Sequence, residues 1–372
     1  MLEAPGAAVM TSNNVEDLTT AQELAAIFEA STKDADSKSD AQFDSQGRDL
    51  FAYALLAAKL DGMGLGQVYS WITKQEHAEI RAIMQKHGQT GPASALVGLQ
   101  GQPDKTRGSV YATAQRMASA IANDTLLTWT SAPGVRKFNA ESFVRGTDTA
   151  VLISRNGPGS GGAFVAALVR SISRAGERAA AADGGRITTP VVFELDEVAN
   201  IVRWPELPDV VSFYGSMGLI LCMYFQSWGQ IVRVFGNEGA DTLWSASSIR
   251  VYGGGESTQS PFLKRFSESI GNYDEWTTNT SSGRNGSTRS RVSKSKPILQ
   301  PDVLAHLPKW RAVFDGSDVG PVLIRTRPWF LDNVLKTMIE GREVKNGKIV
   351  KEKKTAAKRP STAEGTGRVE PV

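Results

Sequence analysis

The sequence predicts an α/β fold: a parallel sheet with helices on both faces, joined to an all-α block. Three observations carry that prediction. Five short apolar runs, Thr149–Ser154, Pro190–Leu195, Gly218–Phe225, Ile249–Tyr252 and Pro321–Thr326, have the length of strands. Helical patterns separate the first four, and continuous apolar strands alternating with helices mean a parallel sheet covered on both faces. Upstream, from Asp49 to about Thr130, apolar residues recur at three- and four-residue spacing with no alternating run between them, so that stretch is a helical block.

Residues 1–45 read as a short apolar piece (Ala7–Met10), a polar turn (Thr11–Asn14), a helix over Ala21–Ala30, and a loop at the Ser- and Asp-rich Ser37–Gln46. In the helical block, Leu50, Tyr53, Ala54, Ala57 and Leu60 share one face, and Gly62, Gly64 and Gly66 end that helix. Val68–Ile72 begins another helix, and His77–His87 is closed by Gly88, which suits the left-handed cap position. Pro92 opens Ala93–Leu99. Asp104 and Asp124 are the predicted N-caps of Arg107–Asn123 and Thr125–Thr130. After Phe138 the character changes, and the first apolar run is followed by a helix from Ala163 to about Arg178. Trp276–Lys296, rich in Ser, Thr, Asn and Gly, reads as a mobile loop, and residues 341–372 as a basic tail that cannot bury enough surface to fold.

A chain of 372 residues has room for two ordinary domains. Its apolar share of 41% and charged share of 22% are those of a soluble globular protein. Residues 341–372 hold nine Lys/Arg against four Glu, so taking that +5 from the net +3 leaves −2 for residues 1–340. Whole-chain charge therefore makes no case for nucleic-acid binding. Cys222 is the only cysteine; its apolar neighbours predict a buried, inert thiol in a cytoplasmic setting. His77, His87 and His306 have no metal-ligand spacing. No stretch approaches the ~20 apolar residues that span a bilayer, and the N-terminus lacks the pattern of a signal peptide. The eight Trp read as packing residues rather than base-stacking platforms.

The chemistry concentrates in Val191-Val-Phe-Glu-Leu-Asp196-Glu197, an apolar strand ending in two acids. That is a Walker B arrangement: Asp196 would hold Mg²⁺ through water, and Glu197 would orient or polarise the attacking water. Its place fits, because open α/β sheets bind ligands at the carboxyl ends of their strands. Thirty residues on, the next apolar strand ends in Gln226, whose amide is placed to reach the same crevice. A G-x-x-x-x-G-K-[ST] phosphate loop (Walker A) is absent from the 372 residues. Gly157-Pro-Gly-Ser-Gly-Gly-Ala163 follows a strand and opens a helix, but it lacks the Lys and hydroxyl and reads as a plain turn.

These residues resemble the TraG/TraD-like type IV coupling proteins, hexameric ATPases of conjugation and type IV secretion, most nearly the actinobacterial branch. The likeness lies in Leu195-Asp-Glu-Val-Ala-Asn-Ile201, Trp204-Pro-Glu-Leu-Pro208, Gln226-Ser-Trp-Gly-Gln230, Leu243–Ile249, Val251–Gly255, Thr106–Tyr111 and Thr113–Met117, and runs from about residue 20 to 330. The resemblance implies a RecA-like P-loop NTPase core with an inserted all-α domain, membrane-anchored upstream at the cytoplasmic face, using ATP and Mg²⁺ to pump DNA into a type IV secretion channel. It implies Asp196 as the Mg²⁺-side carboxylate, Glu197 as the catalytic carboxylate and Gln226 as the sensor. Residues 1–44 would be a remnant of the nucleotide-binding core and 45–145 the all-α domain that meets relaxosome or substrate proteins. Residues 146–330 would be the core with Walker B, and 331–372 a basic tail.

Three departures go with the resemblance. Ala4–Asn13 resembles the family segment just after the Walker A helix, which implies that Met1 comes too late for the phosphate loop and the membrane helices. Thr11–Asp17 runs directly into the helix at Ala21, where the family has another strand. Gly215 stands where many members carry an arginine that acts on the neighbouring subunit's nucleotide, with Arg203 and Arg250 as the substitutes at hand. The expectation is that this chain alone does not hydrolyse ATP. The alternatives are a non-catalytic DNA- or protein-binding module and a gene relic. Arg284, Arg289, Arg291, Lys294 and Lys296 are the candidate DNA contacts, read as five phosphate contacts of one basic loop.

Overall fold

A computed structural model describes residues 7–8, 15–32, 41–123, 126–127, 136–155, 160–283, 286–340, 344–345 and 348–349. The chain divides into two compact units, 1–248 and 249–372. The first begins with a two-residue parallel pairing of β1 (Ala7–Ala8) with β2 (Arg136–Lys137). Helix α1 (Leu18–Thr32) starts before the predicted Ala21 because Asp17 and Thr20 cap it reciprocally. Asp17 Oδ1 accepts from the Thr20 N–H at 2.8 Å and Thr20 Oγ1 from the Asp17 N–H at 2.9 Å. The Thr20 amide also holds the Asp17 carboxyl below its ordinary range.

The helical block consists of α2 (Ala41–Leu60), α3 (Leu65–Lys74), α4 (His77–Lys86), α5 (Thr90–Gln100) and α6 (Asp104–Ala118), with a 3₁₀ turn at Ser119–Ile121. Gly88 follows α4 at φ +72°, the left-handed conformation its place predicts. Asp104 lies in the first turn of α6 rather than capping it. Pro103, at φ −53°, takes the cap position, and the acid then favours the positive end of the helix. The expected cap Asp124 lies outside the described residues. Burial of Trp71, Tyr111, Leu55, Leu56 and Val68 forms the interior of the block, and burial pushes the Tyr111 phenol up to about 12. Phe28 of α1 joins this interior to the sheet helices. Its ring lies 5.5 Å from Phe51 in α2 and 5.6 Å from Phe164 in α8 (Gly162–Ala182).

Between them, α7 (Ala140–Val144) leads into residues 145–155, which form no strand. This corrects the expected strand at Thr149–Ser154: Val151 is 78% and Ile153 65% exposed. An apolar run supplies a strand only if a neighbour takes up its ladder, and none does so here among the described residues. Two further runs do pair as expected. β3 (Val191–Leu195) lies parallel to β4 (Leu219–Met223), with Val191 opposite Leu219 and Leu195 opposite Met223. Gly176 lets α8 approach this pair closely, since a Cβ there would stand 2.5 Å from Leu219 Cδ2. Phe193 and Leu195 point into that packed side, whereas Val192 and Ile220 remain 54% and 40% exposed, so helix cover lies on one face rather than both. Helices α9 (Val198–Ile201), α10 (Leu207–Met217) and α11 (Trp228–Ala246) complete the unit.

The other predicted strands belong to the second unit and are not part of the parallel pair. β5 (Ile249–Tyr252) and β9 (Val322–Arg325) flank β8 (Arg311–Gly316), all antiparallel, and β8 was not anticipated. Apolar runs mark strands but carry no information on direction or partner. Helices α12 (Pro261–Ile270), α13 (Pro301–Ala305) and α14 (Asn333–Ile339) accompany the sheet, and the half-buried Tyr252 meets the stacked, buried rings of Phe262 and Phe266 edge-on. The expected mobile loop is instead an antiparallel hairpin of β6 (Asn272–Gly283) and β7 (Gly286–Pro297), paired along twelve residues. Of residues 341–372, only β10 (Val344–Lys345) and β11 (Lys348–Ile349) lie within the described residues, whereas Asn333–Ile339, expected to belong to the tail, is the helix α14. Among the described residues no helix is long and apolar enough to cross a membrane.

Candidate active site at the carboxyl ends of two parallel strands

The parallel register of β3 and β4 brings Asp196, Glu197 and Gln226 to one end of the sheet. The ladder continues past the strands: the Tyr224 N–H donates to Leu195 O at 3.1 Å and the Val198 N–H to Tyr224 O at 3.3 Å. Glu197 turns the chain into α9 in the left-handed region, φ +49° and ψ +47°. A non-glycine residue held there costs on the order of 1–3 kcal/mol, which the surrounding packing must offset. The turn separates the two carboxylates. Asp196 stays exposed, with no side-chain hydrogen bond or ion pair among the described residues, and Glu197 swings across to the end of β4.

There Glu197 closes a ring of four hydrogen bonds. Gln226 Nε2 donates to Glu197 Oε1 at 2.7 Å and Asn200 Nδ2 to Glu197 Oε2 at 2.9 Å. Gln230 Nε2 donates to Asn200 Oδ1 at 3.1 Å, and Gln230 Oε1 accepts from the Gln226 N–H at 3.1 Å. Ser227 caps α11 by accepting from the Gln230 N–H at 3.2 Å, which fixes the helix start on which Gln230 sits. Asn200 and Gln230 escaped the sequence reading as site residues. Their signal is spacing: Asn200 stands one helical turn after Glu197, and Gln230 one turn after Gln226.

Asp196 and Glu197 open onto a cleft of about 690 Å³ along the free edge of β3, whose opposite wall is the segment 146–154. A free, outward carboxylate at such a cleft fits Mg²⁺, which is bound by one or two carboxylates and otherwise by water and substrate phosphate oxygens. A protein cage is neither needed nor present, since no group of three or more metal-ligating side chains occurs among the described residues. Of the turn expected at Gly157–Ala163, residues 157–159 lie outside the described residues, and Gly161 stands at the cap position of α8.

Cys222 departs from expectation. It lies on the uncovered face, only partly buried, beside Glu194, whose Oε2 accepts from Tyr224 Oη at 2.9 Å. Burial first and then Glu194 push the thiol up. The arginine candidates are both engaged. Arg203 Nη1 donates to Ala30 O at 3.2 Å, and Arg250 pairs with Asp315 at 2.9 Å. At Gly215 the backbone carbonyl accepts from Arg186 Nη1 at 2.9 Å.

The candidate DNA contacts do not form one surface. Arg284 lies outside the described residues. Strand alternation puts Arg289 and Arg291 on one face of the hairpin and Lys294 and Lys296 on the other, where Lys296 pairs with Glu275 at 2.5 Å.

Comparison with known proteins adds a family context. Residues 190–309 match a family model described as the TraM recognition site of TraD and TraG. Over 160 residues the chain is 27% identical to the conjugal transfer protein TraG of Agrobacterium fabrum, covering 42% of this chain and 24% of TraG. The chain thus spans about a quarter of that curated relative. The plasmid coupling protein TrwB in complex with ADP and Mg²⁺ superimposes with a TM-score of 0.59 at 15% identity, covering 86% of this chain and 70% of TrwB. The unbound monoclinic form of bacterial conjugative coupling protein TrwB gives 0.58 at 15% identity, covering 86% and 71%.

Proposed function

We propose that this chain, similar in sequence to TraG and in fold to TrwB, is part of a conjugative coupling protein that links substrate DNA to a type IV secretion channel and drives its passage with ATP. The observation that supports the reading best is the 2.7 Å hydrogen bond between Gln226 and Glu197 at the carboxyl ends of adjacent parallel strands. Bound ATP with Mg²⁺ would supply the phosphoryl group and neutralise its charge. Asp196 would hold the cation through water, Glu197 would take the proton of an attacking water, and Gln226 would align Glu197 and sense the terminal phosphate. Asn200 fixes the second oxygen of Glu197, leaving the carboxylate one orientation. A relaxosome protein would dock on the stretch 190–309 or on the helical block 45–145, and a hexamer at the cytoplasmic face of the membrane is the assembly the family implies.

Substituting Glu197→Gln in the native gene tests the motor reading. DNA transfer should fall at least about a hundredfold, in the range that loss of one catalytic group gives, with protein levels unchanged. Undiminished transfer sinks it. A second reading, a non-catalytic binding module, draws on the lack of a G-x-x-x-x-G-K-[ST] run in the 372 residues. It predicts that the purified chain binds DNA or a partner but neither binds nor hydrolyses ATP.

A further inference from the structure

We propose that one face of the β6–β7 hairpin is a binding platform for single-stranded nucleic acid, with Trp276 as the stacking surface and Arg289 and Arg291 as the phosphate contacts. The inference deepens the DNA-handling part of the proposed function and rests on it. The register places Trp276 opposite Ser293 and Thr278 opposite Arg291, with Arg289 two positions nearer the hairpin tip. Residues two apart on a strand share a face, so Trp276, Arg291 and Arg289 follow one another along a single side of the ribbon. The two arginines are separated by two strand steps, roughly 7 Å, comparable to the step between phosphates of an extended strand.

These groups are free to bind. Trp276 is 64% exposed, unlike the fully buried Trp71 and Trp204. Arg289 and Arg291 are exposed and have no ion pair among the described residues. The other face is different in kind: Glu275 pairs with Lys296 and stands opposite Lys294, and Tyr273, Thr277 and Val292 share that side, so a carboxylate sits among its cations and no indole does. On the Trp276 side the one carboxylate is Asp274, at the end of the hairpin away from the arginines. Ser293 and Thr278 fill the places between, where hydroxyls can donate to phosphate oxygens.

Such a face matches nucleic acid better than protein. A protein-binding patch needs a desolvated apolar centre, and this one is a lone indole among hydroxyls and guanidinium groups. A single exposed indole beside cations is how single strands are held without sequence preference, since every base offers a π-face. A duplex, its bases already stacked, would use only the two arginines.

The test is binding of the full chain to a fluorescent oligothymidine, followed by anisotropy across a salt series, with the matching duplex as competitor. Trp276→Ala should weaken single-strand binding about five- to a hundredfold, with Trp276→Phe retaining most of it. The double change Arg289→Ala/Arg291→Ala should flatten the salt slope by about 1.4, two phosphates at about 0.7 each. Thermal melts of each variant check that folding is kept. Equal losses from Lys294→Ala/Lys296→Ala would mean bulk charge and overturn the one-face assignment. Intact DNA binding in both the Trp276 and the arginine variants would also overturn it, pointing to a protein partner for the hairpin while leaving DNA handling in place. No binding of either DNA form at low salt would remove the DNA reading itself.

Discussion

The parallel pair β3–β4 and the hairpin β6–β7 are both two-stranded, yet they depend on different things. The pair is five residues long, apolar, and packed on one face against α8. Its candidate catalytic groups cluster at one end, where a strained turn and four side-chain hydrogen bonds aim them. The hairpin is twelve residues long and polar, and its proposed contact groups are spread along a face by strand alternation alone. Tertiary packing therefore places the first set of residues, whereas local register places the second. Function in the pair should fail when distant packing fails, and function in the hairpin should not.

That contrast can be broken at several places. Phe28→Ala removes the ring shared between α2 and α8, and should cost about 3–5 kcal/mol in denaturant unfolding of the first unit. If the hairpin is as independent as its ladder implies, oligothymidine binding per folded molecule will be unchanged. Gly176→Ala pushes a methyl into Leu219, worth about 1–3 kcal/mol of overpacking, against about 1 kcal/mol of helix propensity gained. A net loss of about 1 kcal/mol is expected, and a stabilised protein would show that α8 and β4 are less tightly apposed than the distances imply.

Smaller effects sharpen the comparison within the site. Asn200→Ala deletes one member of the ring around Glu197 and should cost about 1 kcal/mol in stability, with a larger proportional loss in DNA transfer. Loss of stability without loss of transfer would reduce Asn200 to a scaffold residue. Glu206 tests burial at the start of α10. Desolvation raises its carboxyl above the ordinary range, and one buried oxygen has no hydrogen-bond partner among the described residues. The native state then binds the proton more tightly than the unfolded chain, so stability falls as pH rises from the ordinary carboxylate range through the raised folded value. Glu206→Gln should remove that fall, giving a gain at neutral pH that vanishes in acid; a pH-independent difference between the proteins would refute it. In the hairpin, Thr277→Ala should stay within about 0.5 kcal/mol, because both faces of the ribbon meet solvent.

Legibility followed the same division. Asp196, Glu197 and Gln226 were readable because each stands directly after an apolar run, and parallel strands put such positions side by side. Asn200 and Gln230 were not, since a polar residue one turn along a short helix becomes a site residue only once the turn at Glu197 has been made. Thr149–Ser154 has the composition of a strand and lacks a partner, while Trp276–Lys296 has the composition of a loop and finds one in itself. Cys222 sat in an apolar run and still faces a carboxylate, because a one-sided cover leaves alternate residues outside.

By itself the sequence determined the helical block, the two adjacent acid- and amide-tipped strands, and the segregation of charge toward residues 341–372. Those features are local: helical periodicity, strand length and turn chemistry act within a dozen residues. Tertiary structure alone decided that β5 and β9 pair with β8 in a second unit, that one face of β3–β4 is left open, and that Glu197 faces Gln226 while Asp196 faces the cleft. Strand partners and side-chain aim are settled by contacts between residues far apart in the chain, and a pattern with a period of two or of 3.6 residues holds no record of which distant segment will satisfy it.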